Sequence, residues 1–272
     1  MSVRAALAAA TGRLAGSSDT PRLDAELLMA HALGISRETL LLSRLDAPAP
    51  VTFEALLGRR EAGEPIAYIT GFRAFWTIDL AVAPGVLIPR PDSETLIEAA
   101  LAHFGKAGPR SVLDLGTGPG TLLLAALHQW PEARGVGVDR SETALAIARD
   151  NAARLGLADR ATLSAGDWCE GLEGPFDLIL CNPPYIERGA ALPRDVAEWE
   201  PHEALFAGDD GLDDYRRLAP EIARLLGAGG IACIEIGAGQ EPAVRPLLEA
   251  QELSVSARAD LGGHVRCLVA ER

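Results

Sequence analysis

Apolar and polar positions change their spacing twice along the chain. From residue 3 to about 72 they follow a helical pattern. Thr20-Pro21 predicts a helix start, a hydroxyl followed by proline at the first helical position. Leu23, Leu27, Leu28 and Ala30 continue the apolar stripe, and Gly34 is placed to close it in a left-handed turn. Ser36 and Thr52 are placed to cap two further helices, and Pro65 to Gly71 predicts a last short one. No chemical motif falls in this stretch, which reads as a packing or substrate-docking unit. Between Ala74 and Pro89 the pattern changes to strand, and Ala83-Pro84-Gly85 between two apolar runs predicts a hairpin turn.

From residue 110 onward strands and helices alternate, which predicts a parallel, doubly wound sheet. Strands are expected at 111–115, 135–138, 161–164, 176–181 and 231–236, with a closing hairpin near 253–257 and 265–270. The fold class expected is therefore α/β: a Rossmann-like, mostly parallel sheet with a final antiparallel hairpin, preceded by a small all-helical domain. The expected division is 1–72 helical, 73–92 linking hairpin and 93–272 α/β domain.

Composition narrows what such a fold does. The 272 residues are long enough for a sizeable core, and 48% are apolar. A net charge of −13 opposes a large non-specific grip on phosphate backbones. No apolar run reaches the ~18 residues of a membrane span, and the early charges Arg13, Arg22 and Asp24 oppose a signal peptide. Cys169, Cys181, Cys233 and Cys267 are scattered, three of them in apolar runs, and read as buried thiols in a reducing cytoplasm. The five histidines form no ligand spacing with each other or with cysteine, so no metal is expected.

The candidate chemistry lies at strand ends. Gly116-Thr117-Gly118-Pro119-Gly120 follows the first strand of the sheet, and glycine lets backbone approach a ligand closely. Asp139 ends the next strand, about 20 residues on, where a carboxylate can accept ribose hydroxyls; helix capping is its alternative reading. A dinucleotide fingerprint would need glycine at 121, where Thr121 stands, so the spacing suits a cofactor without a pyrophosphate. Asp167-Trp168 ends the third strand and offers an acceptor for an adenine amine and a flat aromatic surface, with core packing as the alternative for Trp168. The fourth ends in Asn182-Pro183-Pro184-Tyr185, where two prolines stop the strand in an extended, pre-set shape.

These four features in this order resemble the class I S-adenosylmethionine-dependent methyltransferases, and Asn-Pro-Pro-Tyr narrows the likeness to enzymes that methylate a planar, conjugated nitrogen. Pro65-Ile66-Ala67-Tyr68-Ile69-Thr70-Gly71, Ile88-Pro89-Arg90-Pro91-Asp92-Ser93-Glu94, Glu200-Pro201 and Ala204-Leu205-Phe206 extend it over nearly the whole chain. Within the class the sequence is similar to the release factor glutamine methyltransferases, the PrmC/HemK family. Pro119 departs from that family's usual threonine and Trp199 from its common tyrosine.

The resemblance implies a cytoplasmic enzyme using S-adenosylmethionine, with class I peptide chain release factors as partners and the glutamine of their Gly-Gly-Gln motif as substrate. A monomer without stable nucleic-acid binding is expected. Cofactor roles fall on Gly116, Thr117, Gly118, Pro119, Gly120, Asp139, Asp167, Trp168 and Asn182. Substrate roles fall on Asn182, Pro183, Pro184 and Tyr185, with Asn182, Pro183 and Tyr185 catalytic. An amide nitrogen is a poor nucleophile because its lone pair is delocalised; the Asn182 oxygen and the Pro183 carbonyl would each accept one of its hydrogens and aim the lone pair. Glutamine methylation of a ribosomal protein and methylation of the adenine exocyclic amine are the alternatives of the same chemistry. A cofactor-holding module without catalysis and a nicotinamide-dependent oxidoreductase are those of other classes.

Overall fold

The protein, described over residues 1–272 by a computed structural model, divides into two compact units. The first is Met1–Phe72 together with Leu192–Glu200, and the second is Arg73–Ala191 with Pro201–Arg272.

The first unit holds helices α1 (Val3–Leu14), α2 (Pro21–Leu33), α3 (Arg37–Ser43), α4 (Thr52–Glu61) and α5 (Ile66–Thr70). A later helix, α9 (Arg194–Trp199), joins them although it is distant in sequence. Its core is Leu7, Leu14, Leu28, Met29, Leu40, Phe53 and Leu57. Gly34 and Gly71 end α2 and α5 in left-handed conformations, and the Ser36 hydroxyl accepts from the Thr39 N–H to cap α3. Thr52 is instead the first helical residue of α4, because the Phe53 N–H already turns back to the Pro50 carbonyl at 3.2 Å. Arg60 is buried and donates to Asp24 at 2.8 Å, while Ser18 and Thr20 donate to the same carboxylate. A buried ion pair is tolerated only when its remaining atoms are satisfied in this way.

A two-stranded ribbon, β1 (Phe72–Phe75) and β2 (Ile78–Ala81), belongs to the second unit from Arg73 onward. The hairpin turns at Trp76-Thr77, not at Ala83-Pro84-Gly85 as the sequence pattern predicts. Trp76 takes a left-handed φ of 54°, which local rules do not favour for tryptophan. Tertiary bonds hold it there: its N–H donates to Glu94 Oε1 at 2.8 Å and its indole to Gln129 Oε1 at 3.0 Å.

A seven-stranded sheet follows in the order β5-β4-β3-β6-β7-β9-β8. Its strands are β3 (Ser111–Leu115), β4 (Arg134–Asp139), β5 (Ala161–Ala165), β6 (Phe176–Cys181), β7 (Leu226–Glu235), β8 (Ser254–Ala259) and β9 (Val265–Glu271). All are parallel except β9, which runs antiparallel to both β7 and β8. The helices α6 (Glu94–Phe104), α7 (Thr121–Gln129) and α8 (Glu142–Arg154) contribute to the apolar cluster on one face, and α10 (Asp213–Leu225) and α11 (Glu241–Glu249) to that on the other. Buried on both faces from Leu178 to Cys181, β6 reads there as a continuous apolar run, as central parallel strands do. Winding reverses at β3, which has β4 on one side and β6 on the other. A crevice at the carboxyl ends of the strands is expected there.

Candidate active site

That crevice exists. A cleft of about 770 Å³, counting its open mouth, is lined by Gly116, Gly118, Asp139, Asp167, Trp168 and Asn182 among others, with Pro184 at its wall. A recess of about 400 Å³ shares Gly116, Gly118 and Asn182 and adds Ser93, Asp114, Thr117 and Pro119. Thus the ends of four strands meet, as the motif order predicts. Gly120, Pro183 and Tyr185 line neither space. Gly120 begins α7 at φ +88°, and a Cβ there would meet Leu124 at 2.7 Å.

The loop after β3 is shaped by its own backbone. Gly116 and Gly118 have φ of +72° and +56°, a region costly for residues with a Cβ. A Cβ on Gly116 would come within 3.0 Å of the Trp168 ring, so glycine leaves room for the indole against the loop. Trp168 itself has φ +54°, and its indole donates to Asp214 Oδ1 at 3.1 Å. Asp139 receives the Gly118 N–H on one oxygen and the Ser141 N–H on the other, each at 2.8 Å. Capping of α8 falls to Ser141, whose hydroxyl accepts from the Ala144 N–H. Asp167 faces the cleft but pairs one carboxylate oxygen with Arg217 at 2.7 Å.

Behind the loop sits Asn151, fully buried, which donates to the Pro119 carbonyl at 2.9 Å and to the Ala81 carbonyl at 3.0 Å. Its own oxygen accepts the Ala81 N–H at 2.7 Å. One side chain thereby ties the proline of the glycine loop to the ribbon. Asp114, at the end of β3, accepts from Thr117 Oγ1 at 2.6 Å and from the Leu123 N–H at 3.0 Å, while its other oxygen is buried without a partner. Burial pushes its carboxyl up to about 7 against those two bonds.

The corner after β6 is held from outside. Asn182 Nδ2 donates to Ser93 Oγ at 3.2 Å, and neither Asn182 Oδ1 nor the Pro183 carbonyl receives a hydrogen bond from the protein. The Tyr185 carbonyl is taken by Gln240 Nε2 at 2.9 Å, and Gln240 Oε1 accepts the Gly237 N–H. A Cβ on Gly211 would lie 2.4 Å from the same carbonyl, so only glycine fits beside it. Beyond it, the Ile186 N–H donates to the Leu205 carbonyl and the Ile186 carbonyl accepts the Ala207 N–H, fixing the direction in which the chain leaves. Burial pushes the Tyr185 phenol up to about 12 and the Glu235 carboxyl, at the end of β7, up to about 7.

Ser93, Asn151, Asp214, Glu235 and Gln240 escape a motif reading. Ser93 lies in the quoted Ile88–Glu94 stretch, but nothing in the sequence sets it beside Asn182. Asp114 is legible only as the polar residue of an otherwise apolar strand.

Two family models match the chain: the PrmC N-terminal domain over residues 5–71 and a methyltransferase domain over 109–252. The chain is 46% identical to the release factor glutamine methyltransferase of Rhodospirillum rubrum, covering 93% of this chain and 80% of that one. It is 41% identical to the enzyme of the same name from Moorella thermoacetica, over 100% and 99% of the two chains. Among solved structures, a Thermus thermophilus 16S rRNA N2 G1207 methyltransferase, in complex with S-adenosylmethionine and guanosine, matches with a TM-score of 0.53. It is 23% identical and covers 74% of this chain and 50% of its own, a likeness of fold.

Proposed function

The chain belongs to the release factor glutamine methyltransferase family, and from that membership we propose its reaction and the residues that carry it. It is an S-adenosylmethionine-dependent protein methyltransferase that modifies the side-chain amide nitrogen of a release factor glutamine. We assign that glutamine to the Gly-Gly-Gln loop of class I release factors. The observation that carries the assignment is the pair of free acceptors at the end of β6, Asn182 Oδ1 and the Pro183 carbonyl, beside a cleft shaped for the cofactor.

The cleft fits that cofactor on its own geometry. Gly116 and Gly118 leave a backbone surface with no side chain in the way, and Trp168 supplies a flat wall. Asp139, its carboxylate already oriented by two N–H donors, holds the ribose hydroxyls. Asp167 keeps one oxygen for an amino group while the other pairs with Arg217. When bound, S-adenosylmethionine supplies an electrophilic methyl group on a sulfonium.

What the protein does for the glutamine is positional. Asn182 Oδ1 and the Pro183 carbonyl accept the two amide hydrogens, which fixes the nitrogen and favours a pyramidal lone pair directed into the cleft. Pro184 and Tyr185 keep that corner rigid, Tyr185 through Gln240 and the absence of a side chain at Gly211. Such orientation is worth ~7–11 kcal/mol in favourable cases. No strong base is needed before attack, because the nitrogen loses its proton readily once alkylated.

We assign the reaction to the cytoplasm on the ground that its substrate belongs to the translation machinery. No helix is long and apolar enough to cross a membrane. The net charge of −13 favours a protein substrate over bare nucleic acid. One catalytic corner and one cofactor cleft lie within a single chain, which fits a monomer. The test is incubation with methyl-labelled S-adenosylmethionine and intact class I release factor, then mapping of the label. We expect one methyl on the Gly-Gly-Gln glutamine and none after that glutamine is replaced. Label on a ribosomal protein or an adenine, with the release factor untouched, would overturn the substrate.

A further inference from the structure

We infer that the buried Glu235 carboxylate, acting through the Ser93 hydroxyl, is the positioning residue that sets which end of the Asn182 amide faces the substrate. The inference rests on the role of Asn182 proposed above. An asparagine amide has two ends of nearly equal size, one an acceptor and one a donor of two hydrogens, so its orientation follows from its partners. Methyl transfer to an amide nitrogen requires the acceptor end toward the substrate. Asn182 places Nδ2 against Ser93 Oγ at 3.2 Å. A serine hydroxyl both donates and accepts, so Ser93 alone would not choose between the two orientations.

Glu235 makes the choice. In the parallel pair β6–β7, Cys181 lies beside Ile234, which brings the next residues, Asn182 and Glu235, side by side at the sheet edge. Glu235 is 1% exposed and one of its oxygens is buried without a partner; of the groups that favour its ionised form, the Ser93 hydroxyl acts most strongly. An ionised carboxylate only accepts. The single hydrogen of Ser93 is then committed to Glu235, and its oxygen is left to accept from Asn182 Nδ2, which turns Oδ1 to the cleft. A protonated Glu235 can itself donate; Ser93 is freed to donate to Asn182 Oδ1, and the flipped amide shows its NH₂ to the substrate.

Several groups face this carboxyl: Ser93 and Asp92 from the turn before α6, Tyr185 after β6 and Arg266 from β9. Burial is the largest influence and raises its affinity for a proton, Asp92 adds to that, and the Ser93 bond, Arg266 and Tyr185 oppose it, leaving it at about 7. Arg266 is shared with Asp92 and Asp260, each at 3.1 Å. The Cys181 and Cys267 thiols and the Tyr215 phenol are held well above their ordinary range by burial and stay neutral here. Activity should therefore rise with pH through about 7.

The chain has two asparagines, Asn151 and Asn182, so asparagine-selective ¹⁵N labelling gives two side-chain NH₂ pairs. In the free protein the Asn182 pair should shift as pH crosses about 7, the Asn151 pair should not, and Glu235→Gln should abolish the shift. With release factor as substrate, Ser93→Ala should lower kcat at least tenfold and flatten the pH profile, with the KM for S-adenosylmethionine within twofold. An Asn182 pair that does not titrate, or Ser93→Ala with the parent kcat and pH profile, overturns the inference. A parent protein inactive on release factor would overturn the proposed reaction instead, and the NMR titration would still decide the role of Glu235.

Discussion

The two corners of the cleft, after β3 and after β6, each stand over a buried acid with an unpaired oxygen, yet they are built in opposite ways. The bonds that Asp114 does make come from its own loop, from Thr117 three residues on and Leu123 nine residues on. The loop conformation it supports is written in glycines at positive φ. Glu235 is surrounded by groups from other parts of the chain, Ser93, Tyr185 and Arg266. The conformation it supports is written in prolines and in Gln240 and Gly211 reaching in from elsewhere. The first corner presents backbone to a ligand and should govern affinity. The second presents two oriented acceptors and should govern turnover.

Changes at the two corners should therefore separate the two quantities. On the role proposed for it, Asn182→Ala removes an acceptor for the reacting nitrogen, and we expect kcat to fall by about 10³-fold or more, within the range that orientation can supply. Single-turnover assays at saturating cofactor, with calorimetry showing cofactor affinity within a few-fold, check the separation; activity near the parent value would erase the distinction. Asp139→Ala should do the reverse. Loss of hydrogen bonds to a charged group predicts a binding loss of ~1.5–3 kcal/mol, roughly 10- to 150-fold in Kd, and calorimetric titration of the folded variant measures it.

The smallest effect concerns the buried acids themselves. Asp114 and Glu235 both hold their protons up to about 7, above the ordinary carboxylate range, chiefly through burial. A group that binds its proton more tightly when folded stabilises the fold below its unfolded pKa and loses that contribution as pH rises through the folded value. Thermal stability should thus decline between about pH 4.5 and 7. Glu235→Gln should flatten part of the slope in calorimetric scans from pH 5 to 8; an unchanged slope would mean that the corner after β6 does not bury a titrating acid.

The same division explains what was readable in advance. The sheet strands were legible because their apolar runs are bounded by turn residues, and the expected 111–115 and 176–181 coincide with β3 and β6. The placement of Gly116, Asp139, Trp168 and Asn182 around one cleft followed from motif order, since parallel strands bring their carboxyl ends to one edge. The ribbon turn was misplaced because Pro84-Gly85 is a strong local signal, whereas Trp76 is held in its turn by Glu94 and Gln129, partners no local rule contains. The joining of residues 192–200 to the helical unit was equally unreadable, since it is a contact between stretches more than a hundred residues apart.

Sequence by itself determined the alternation of strands and helices, the glycine loop, the acid one strand later and the proline-locked amide, because each depends on neighbours along the chain and on backbone preferences that act locally. Only the tertiary structure decided that Asn151 ties Pro119 to the ribbon, that Gln240 and Gly211 hold Tyr185, and that Ser93 meets Asn182. Those contacts join residues from 26 to 89 positions apart. Their energy exists only once the sheet has set its register, which is why no pattern along the chain announces them.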